Sequence, residues 1–412
     1  MTRPIFGRVE PEQRRTTGVS APTQSAPQWG DVPGPGTARI AVDLLGGDHA
    51  PAVVVDGALR ACQADPALQL LLVGPVEAAG ELLAALKPAD RLRVRTLAAP
   101  AERADLVRAA PPAEREAFER REGPVSPPTN GHAPAAREEP PADRRPLKHA
   151  ESWVESGVRT AVLAVAQGEA DAVVSAGNTG ATVTSAALGL GRWPGVRRPA
   201  LAAVLPTAAG RLVLLDVGSS VDPDAQTLAM HARLGAAYAS TVHGITTPKV
   251  GLLTIGTERG KGDKLRRSAP AVLTATHLPG GARFVGLVEG NDVVLGAAAD
   301  VVVTDGFTGN VLLKGLETAY ALIGPPADSG AGGDGRRREL TDVPPRAAIL
   351  LGVSGTVVVC HGAATADDIA AGIALAAHLH RHAAVAAIAG LIAQDEVPMN
   401  EPRDPTAGGT TS

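Results

Sequence analysis

Ser175-Ala-Gly-Asn-Thr-Gly-Ala181 follows the buried-strand pattern Ala170-Asp-Ala-Val-Val174 and precedes Thr182-Val-Thr-Ser-Ala-Ala-Leu188, which reads as a helix. Strand, small polar turn and helix in that order leave backbone N–H groups facing an anion. Gly177 and Gly180 let the backbone approach closely, while Asn178 and Thr179 add side-chain donors. A second joint of this kind, Thr304-Asp-Gly-Phe-Thr-Gly-Asn310, follows Asp300-Val-Val-Val303 and precedes Val311-Leu-Leu-Lys314. Two such turns, each at a strand's carboxyl end, predict two walls of one anion site.

Working outward, order begins at Arg39-Ile-Ala-Val-Asp43, a strand that runs into Leu44-Leu-Gly-Gly-Asp-His49. A helix follows near Pro51 to Cys62; Pro51 suits a first helical turn, where the missing N–H costs nothing. Strand Leu68 to Val73, helix Val76 to Leu86 and strand Leu92 to Leu97 continue a βαβ alternation, which implies a parallel sheet covered by helices. Further on come a helix near Ser152 to Gln167, adjacent strands at Pro199 to Val204 and Arg211 to Leu215, and a helix from Ala225 to Thr241. Strands at Lys249 to Ile255, Arg283 to Val288, Ala347 to Gly352 and Thr356 to Cys360 precede one closing helical stretch, Ala366 to Leu391. Residues 1–37 and 394–412 read as disordered tails around one domain over 38–393. Within it, residues 100–147 read as a Pro-rich disordered insertion and 324–346 as a shortened irregular segment.

The chain has 412 residues and a net charge of −4, which gives no electrostatic case for nucleic acid. Aromatics are only 2%, so Ala, Val and Leu must fill the core. Cys62 and Cys360 sit in apolar stretches and are expected as reduced core thiols. No signal-peptide pattern or bilayer-length apolar run is visible, so a cytoplasmic protein is expected.

Gly46-Gly47-Asp48-His49 reads either as a capped tight turn or as a ligand turn with an acid and an imidazole. Gly256-Thr-Glu-Arg-Gly-Lys-Gly-Asp-Lys264 fails the P-loop spacing; it reads equally as a solvated charge run or as a loop delivering Lys261 or Lys264 to a phosphate. Asp216 and Asp222 lack His or Cys at ligand spacing, so turn and cap roles are expected, and no metal. His378, His380 and His382 read as a partly exposed helical cluster. No serine-hydrolase elbow or dinucleotide fingerprint is present, and no cofactor is expected.

Taken together these segments resemble the bacterial phosphate acyltransferase family, the phosphate:acyl-[acyl carrier protein] acyltransferases of phospholipid synthesis. The resemblance rests on Ile40-Ala-Val-Asp-Leu-Leu-Gly-Gly-Asp-His-Ala-Pro51, Gly168 to Ala181, Arg198-Pro-Ala-Leu-Ala202 and Leu214-Leu-Asp-Val-Gly218. It continues through Pro248-Lys-Val-Gly-Leu-Leu253 with Gly260-Lys-Gly262, Ala299 to Asn310, and Gly352-Val-Ser-Gly355 with His361-Gly362. It implies a three-layer α/β/α fold with a mostly parallel sheet, similar to isocitrate and isopropylmalate dehydrogenases, and a homodimer. It also implies the reaction of acyl-[acyl carrier protein] with inorganic phosphate to give acyl phosphate and free carrier. On that reading Asn178, Thr179 and Gly180 hold phosphate, with Asp305, Thr308, Gly309 and Asn310 facing them and Gly47 in the first turn. Lys261 or Lys264 supplies positive charge, and Asp48 or His49 positions groups or accepts a proton. The chain departs from the family at Leu44-Leu45, at Arg144 to Ser152, and after Lys314, where the family carries an apolar and basic helical pair linked to membrane contact. Peripheral membrane contact is therefore left open. An acyl-CoA-using, phosphotransacetylase-like enzyme and a specialised non-catalytic homologue are the alternatives.

Overall fold

The computed structural model describes residues 36–99, 157–258, 260–323 and 347–394. The expected tails, the 100–147 insertion and the 324–346 segment lie outside these, apart from the few tail residues at 36, 37 and 394. In chain order the strands are β1 Ala38–Asp43, β2 Leu68–Val73, β3 Val94–Leu97, β4 Ala172–Ser175, β5 Ala200–Thr207 and β6 Gly210–Leu215, then β7 Lys249–Leu253, β8 Arg283–Val288, β9 Val301–Val303, β10 Ala347–Leu351 and β11 Thr356–Cys360. The helices are α1 Ala52–Ala64, α2 Val76–Ala85, α3 Pro88–Arg91, α4 Gly157–Ala166 and α5 Thr179–Gly189. They continue with α6 Ala225–His243, α7 Lys264–Ala275, α8 Gly290–Leu295, α9 Gly306–Ile323, α10 Ala366–Arg381 and α11 Ala384–Gln394.

All the described strands join one sheet, 11-stranded among the described residues, in the order β3-β2-β1-β4-β11-β10-β5-β6-β9-β7-β8. Most strands are buried on both faces, which is why they read as continuous runs of Val, Leu and Ala rather than as alternating patterns. Pairing is parallel except where β10 runs against β11 and β5, and where β5 and β6 form a hairpin. The two parallel halves, β3-β2-β1-β4-β11 and β6-β9-β7-β8, therefore point in opposite directions. Their registers nevertheless meet on one transverse row, Ser175, Val359, Ala348, Ala203 and Leu214. β4 and β6 thus finish within one residue of the same level, and the loops that leave them can meet over β11, β10 and β5.

Helices cover both faces, giving the three-layer α/β/α architecture. Side chains of α1, α6, α7, α10 and α11 pack with Ile40, Val42, Val213 and Val303 on one face. Those of α4, α5, α8 and α9 pack with Ala41, Val173, Leu214 and Val302 on the other. Small residues substitute for aromatics by letting layers close up: a Cβ on Gly57 of α1 would lie 2.6 Å from Ile369 of α10. The closing helical stretch is two helices rather than one. α10 ends where the His382 and Ala383 N–H groups bond to His378 and His380 carbonyls, and Ala383 turns the chain with φ of 48°. α10 and α11 then diverge by 55°, and no single described helix is long and apolar enough to cross a membrane.

Candidate functional site

β1 ends in Asp43, whose carboxylate is fully buried and accepts from Leu45 N at 3.1 Å and Ser175 Oγ at 2.7 Å. Ser175 Oγ in turn accepts from Gly177 N at 3.0 Å, so one carboxylate ties the turn after β1 to the turn after β4. Backbone at Gly46, Gly157 and Gly177 crowds this carboxylate, and a side chain at Gly46 or Gly157 would collide with it. Burial pushes the Asp43 carboxyl up to about 6, against the lowering effect of its hydrogen bonds from Ser175 and Leu45. Asp48 N donates to Gly362 O at 2.7 Å, joining the first turn to the end of β11, and Gly47 makes the bend with φ of 111°. His49 is exposed, and its carbonyl accepts from Val53 N in the first turn of α1.

At the head of α5, Asn178 is the N-cap: its Oδ1 accepts from Ala181 N at 3.0 Å. The N–H groups of Thr179 and Gly180 are left without an acceptor among the described residues, as the first turn of a helix requires. Facing them is the loop after β6, folded around buried Asp216. Its carboxylate accepts from the backbone N–H of Leu201, Gly218, Ser219 and Ser220 at 2.6–3.1 Å. Asp216 has the turn role expected of it, and Asp224 caps α6 through Thr227 N. From the other side Asn310 Nδ2 donates to Val217 O at 3.0 Å. Gly218 is the meeting point: a Cβ there would lie 3.2 Å from Asn310 Nδ2 and 3.7 Å from Thr179 Cγ2.

The two turns read from the sequence therefore converge. Thr179 and Asn310 line one narrow groove, about 50 Å³, floored by Leu201, Ala203, Val217 and Ala348 of the sheet and its loop. Two residues absent from the sequence-based site, Glu317 and His361, line the same groove. Glu317 falls on the stripe of α9 that carries Asn310 and Leu313, a spacing of three then four that would have placed it there. His361 stood within a family motif but without a role. Burial, then the nearby Asp368, push the Glu317 carboxyl up to about 7, with Lys314 pulling the other way. Burial and Lys314 hold the His361 imidazole below its ordinary value, against Asp48 and Asp368. The ring is therefore neutral near pH 7. Its Nδ1 accepts from Ala363 N at 3.2 Å, which puts the proton on Nε2, and Nε2 is shielded from water with no acceptor among the described residues.

Other sequence candidates fall on a different, larger pocket of about 640 Å³, lined by Asp222, Lys264, Arg266, Asp305, Phe307 and Thr308 among others. Arg266 is buried and donates to Asp263 at 2.9 Å, Thr304 Oγ1 at 2.8 Å, and the Asp305 carboxylate. Burial alone would raise the Asp305 carboxyl, but hydrogen bonds from Thr308 and the Arg266 guanidinium together hold it below the usual range. Thr308 is thus committed to Asp305, through Oγ1 at 2.7 Å and N at 2.8 Å. Gly309 backs directly onto the Asp216 carbonyl, where no Cβ fits. Lys261 lies in an exposed loop with Glu258 at 4.0 Å, while Lys264 opens α7. Arg266, the cation that organises this pocket, was not singled out in the sequence, because nothing in Lys264-Leu-Arg-Arg267 distinguishes it from its neighbours. Among the described residues no group of three or more His, Cys, Asp or Glu side chains is placed to hold a metal. Cys62 and Cys360 are both buried and free.

The family model described as fatty acid synthesis protein matches residues 38–108 and 142–325. A phosphate acyltransferase of Thermobifida fusca (strain YX) is 39% identical over 371 residues, covering 86% of this chain and 91% of the relative. One from Granulibacter bethesdensis is 36% identical over 348 residues, covering 80% and 83%. Among solved structures, a phosphotransacetylase from Streptococcus pyogenes superposes with a TM-score of 0.51 at 21% identity, covering 85% of this chain and 94% of that one. That likeness concerns the fold.

Proposed function

The chain belongs to the fatty acid synthesis protein family, with the phosphate acyltransferases as its relatives, and from that premise we propose that this acyltransferase converts acyl-[acyl carrier protein] and inorganic phosphate to acyl phosphate and free carrier protein. The observation that carries the reading is the contact at Gly218, where the head of α5 and the first turn of α9 close on one groove. Phosphate sits against the Thr179 and Gly180 N–H groups, where an unsatisfied helix terminus favours negative charge. Asn310 faces it with the second hydrogen of an amide already oriented by Val217 O. A phosphate oxygen attacks the thioester carbonyl carbon, the carbonyl oxygen takes up the developing negative charge, and collapse breaks the C–S bond to release the carrier thiolate. No enzyme nucleophile is needed; holding the reactants in register and stabilising the oxyanion supply the rate.

Lys261 or Lys264 adds positive charge to the approach, and Asp48 or His49 orders the turn after β1 or takes a proton. The protein works as a cytoplasmic homodimer in fatty acid and phospholipid synthesis. The test is purified protein with palmitoyl-[acyl carrier protein] and inorganic phosphate, measuring acyl phosphate and free carrier. Phosphate-dependent product supports the reading. Turnover with palmitoyl-CoA alone would move the protein to phosphotransacetylase-like chemistry, and no turnover with either would leave a non-catalytic homologue.

A further inference from the structure

Where the loop from Arg192 to Arg198 meets the loop from Asp216 to Asp224, a cavity of about 380 Å³ is lined by Arg192, Arg197, Arg198, Asp222, Asp224 and Thr227. The larger pocket adjoins it at Asp222 and Asp224 and reaches Thr308 in the first turn of α9. Charges along this passage do not balance. Arg197 pairs with Asp224 at 3.2 Å, and Arg266 is consumed by Asp263 and Asp305. Arg192, Arg198, Lys264 and neighbouring Arg267 have no carboxylate within ion-pair distance among the described residues, against the single uncommitted carboxylate of Asp222. A chain of net charge −4 thus presents a locally cationic rim.

The arginines also stand on a pinned loop. Trp193 N bonds to Gly352 O at 3.0 Å, Ser354 N to Gly191 O at 2.9 Å, and Ser219 Oγ to Pro199 O at 2.6 Å. The Arg192 guanidinium is held by Arg197 O at 2.6 Å, so its direction is set before any partner arrives. Exposed Val221 and Phe307 line the pocket beyond, placing apolar contacts inside a basic rim as protein interfaces do.

We propose that this rim is the docking surface for an acidic carrier protein, whose thioester arm runs past Asp222 and Asp224 toward the first turn of α9. The proposal rests on the carrier-dependent reaction above and adds where the carrier binds. Unpaired Arg192 and Arg198 meet the carrier's carboxylates, steering encounter and fixing register. Asp222 in the passage repels a continuous polyanion yet leaves the uncharged pantetheine end of the arm unopposed.

The experiment measures binding of holo acyl carrier protein to the full chain and turnover of the small thioester palmitoyl-pantetheine, for wild type, Arg192→Glu/Arg198→Glu, and an Arg283→Glu control. Arg283 is exposed at the opposite end of the β7–β8 pair, and thermal melting checks that each variant is folded. The double variant is expected to weaken carrier binding by about tenfold or more, with salt sensitivity reduced, while the control and palmitoyl-pantetheine turnover stay at wild-type level. Unchanged carrier affinity in the double variant overturns the proposal. Equal loss with the small thioester also overturns it, since the arginines would then serve the reaction site. A wild type that turns over palmitoyl-CoA but binds no carrier removes the carrier reading itself, which separates that failure from a misplaced docking surface.

Discussion

His361 brings three properties together at the wall of the groove. It is neutral, its tautomer is fixed by Ala363 N, and the resulting Nε2–H is shut off from water without an acceptor among the described residues. An unmade hydrogen bond of that kind costs about 1–3 kcal/mol in a folded protein. A substrate oxygen that reached Nε2 as the groove widened around it would relieve this, and a thioester carbonyl, which gains charge during attack, would profit most. His361→Phe keeps the ring shape and removes the donor. It is expected to lower kcat by on the order of 10²-fold while the phosphate KM changes by less than about threefold. His361→Gln, whose amide nitrogen reaches the Nε2 position, should recover part of the loss. Wild-type kcat in His361→Phe would remove the residue from the chemistry. None of this was legible in the sequence, where the pair His361-Gly362 shows a motif but not which ring nitrogen is bonded.

The end of β1 is a joint between elements, and Asp43 is its pin, linking the β1 turn, the β4 turn and the start of α4. The described residues that face this carboxylate are Ser175, Leu45, Gly46, Gly157 and Gly177, so burial dominates its titration. Its folded-state value of about 6 lies above the ordinary 3.8. Between those limits the folded protein holds a proton that the unfolded chain has released. Stability therefore falls as pH rises through this window, by on the order of 3 kcal/mol in total, and is level above it. Asp43→Asn cannot titrate, so its urea-unfolding free energy should show less of this decline between about pH 4 and about pH 7. Parallel pH curves for the two proteins would show that Asp43 does not govern the joint. Strands and strand–turn–helix joints were readable, because doubly buried strands are short runs of Val, Leu and Ala ending in small polar residues. The break at Ala383 was not, since Arg381-His-Ala-Ala384 contains neither Gly nor Pro to mark it. The commitment of Thr308 to Asp305 also escaped, because it depends on Arg266 arriving from a separate helix.

At the scale of the molecule, the sheet is two parallel halves running in opposite senses, joined by β10 and β5. Local pattern carries no trace of that reversal: β10 and β5 look like any other buried strand, and their partners are decided by pairing at a distance. The reversal has a functional consequence. It brings a turn from each half over the same three strands, so a ligand in the groove must touch both halves at once. Inorganic phosphate should then slow amide hydrogen exchange in two segments far apart in sequence, the head of α5 around Thr179 to Thr182 and the head of α9 around Phe307 to Val311. At phosphate ten times its dissociation constant, segments that must release ligand to open should slow together by about tenfold, since protection scales with one plus the ratio of ligand to Kd. α11, which packs on α6 and faces away from the groove, should exchange at its original rate. Protection of α9 with Lys264 to Ser268 but not of α5 would instead seat phosphate in the Arg266 pocket, and the two-walled site would have to be abandoned. Joint protection of α5 and α9 is the outcome that a groove spanning both halves requires.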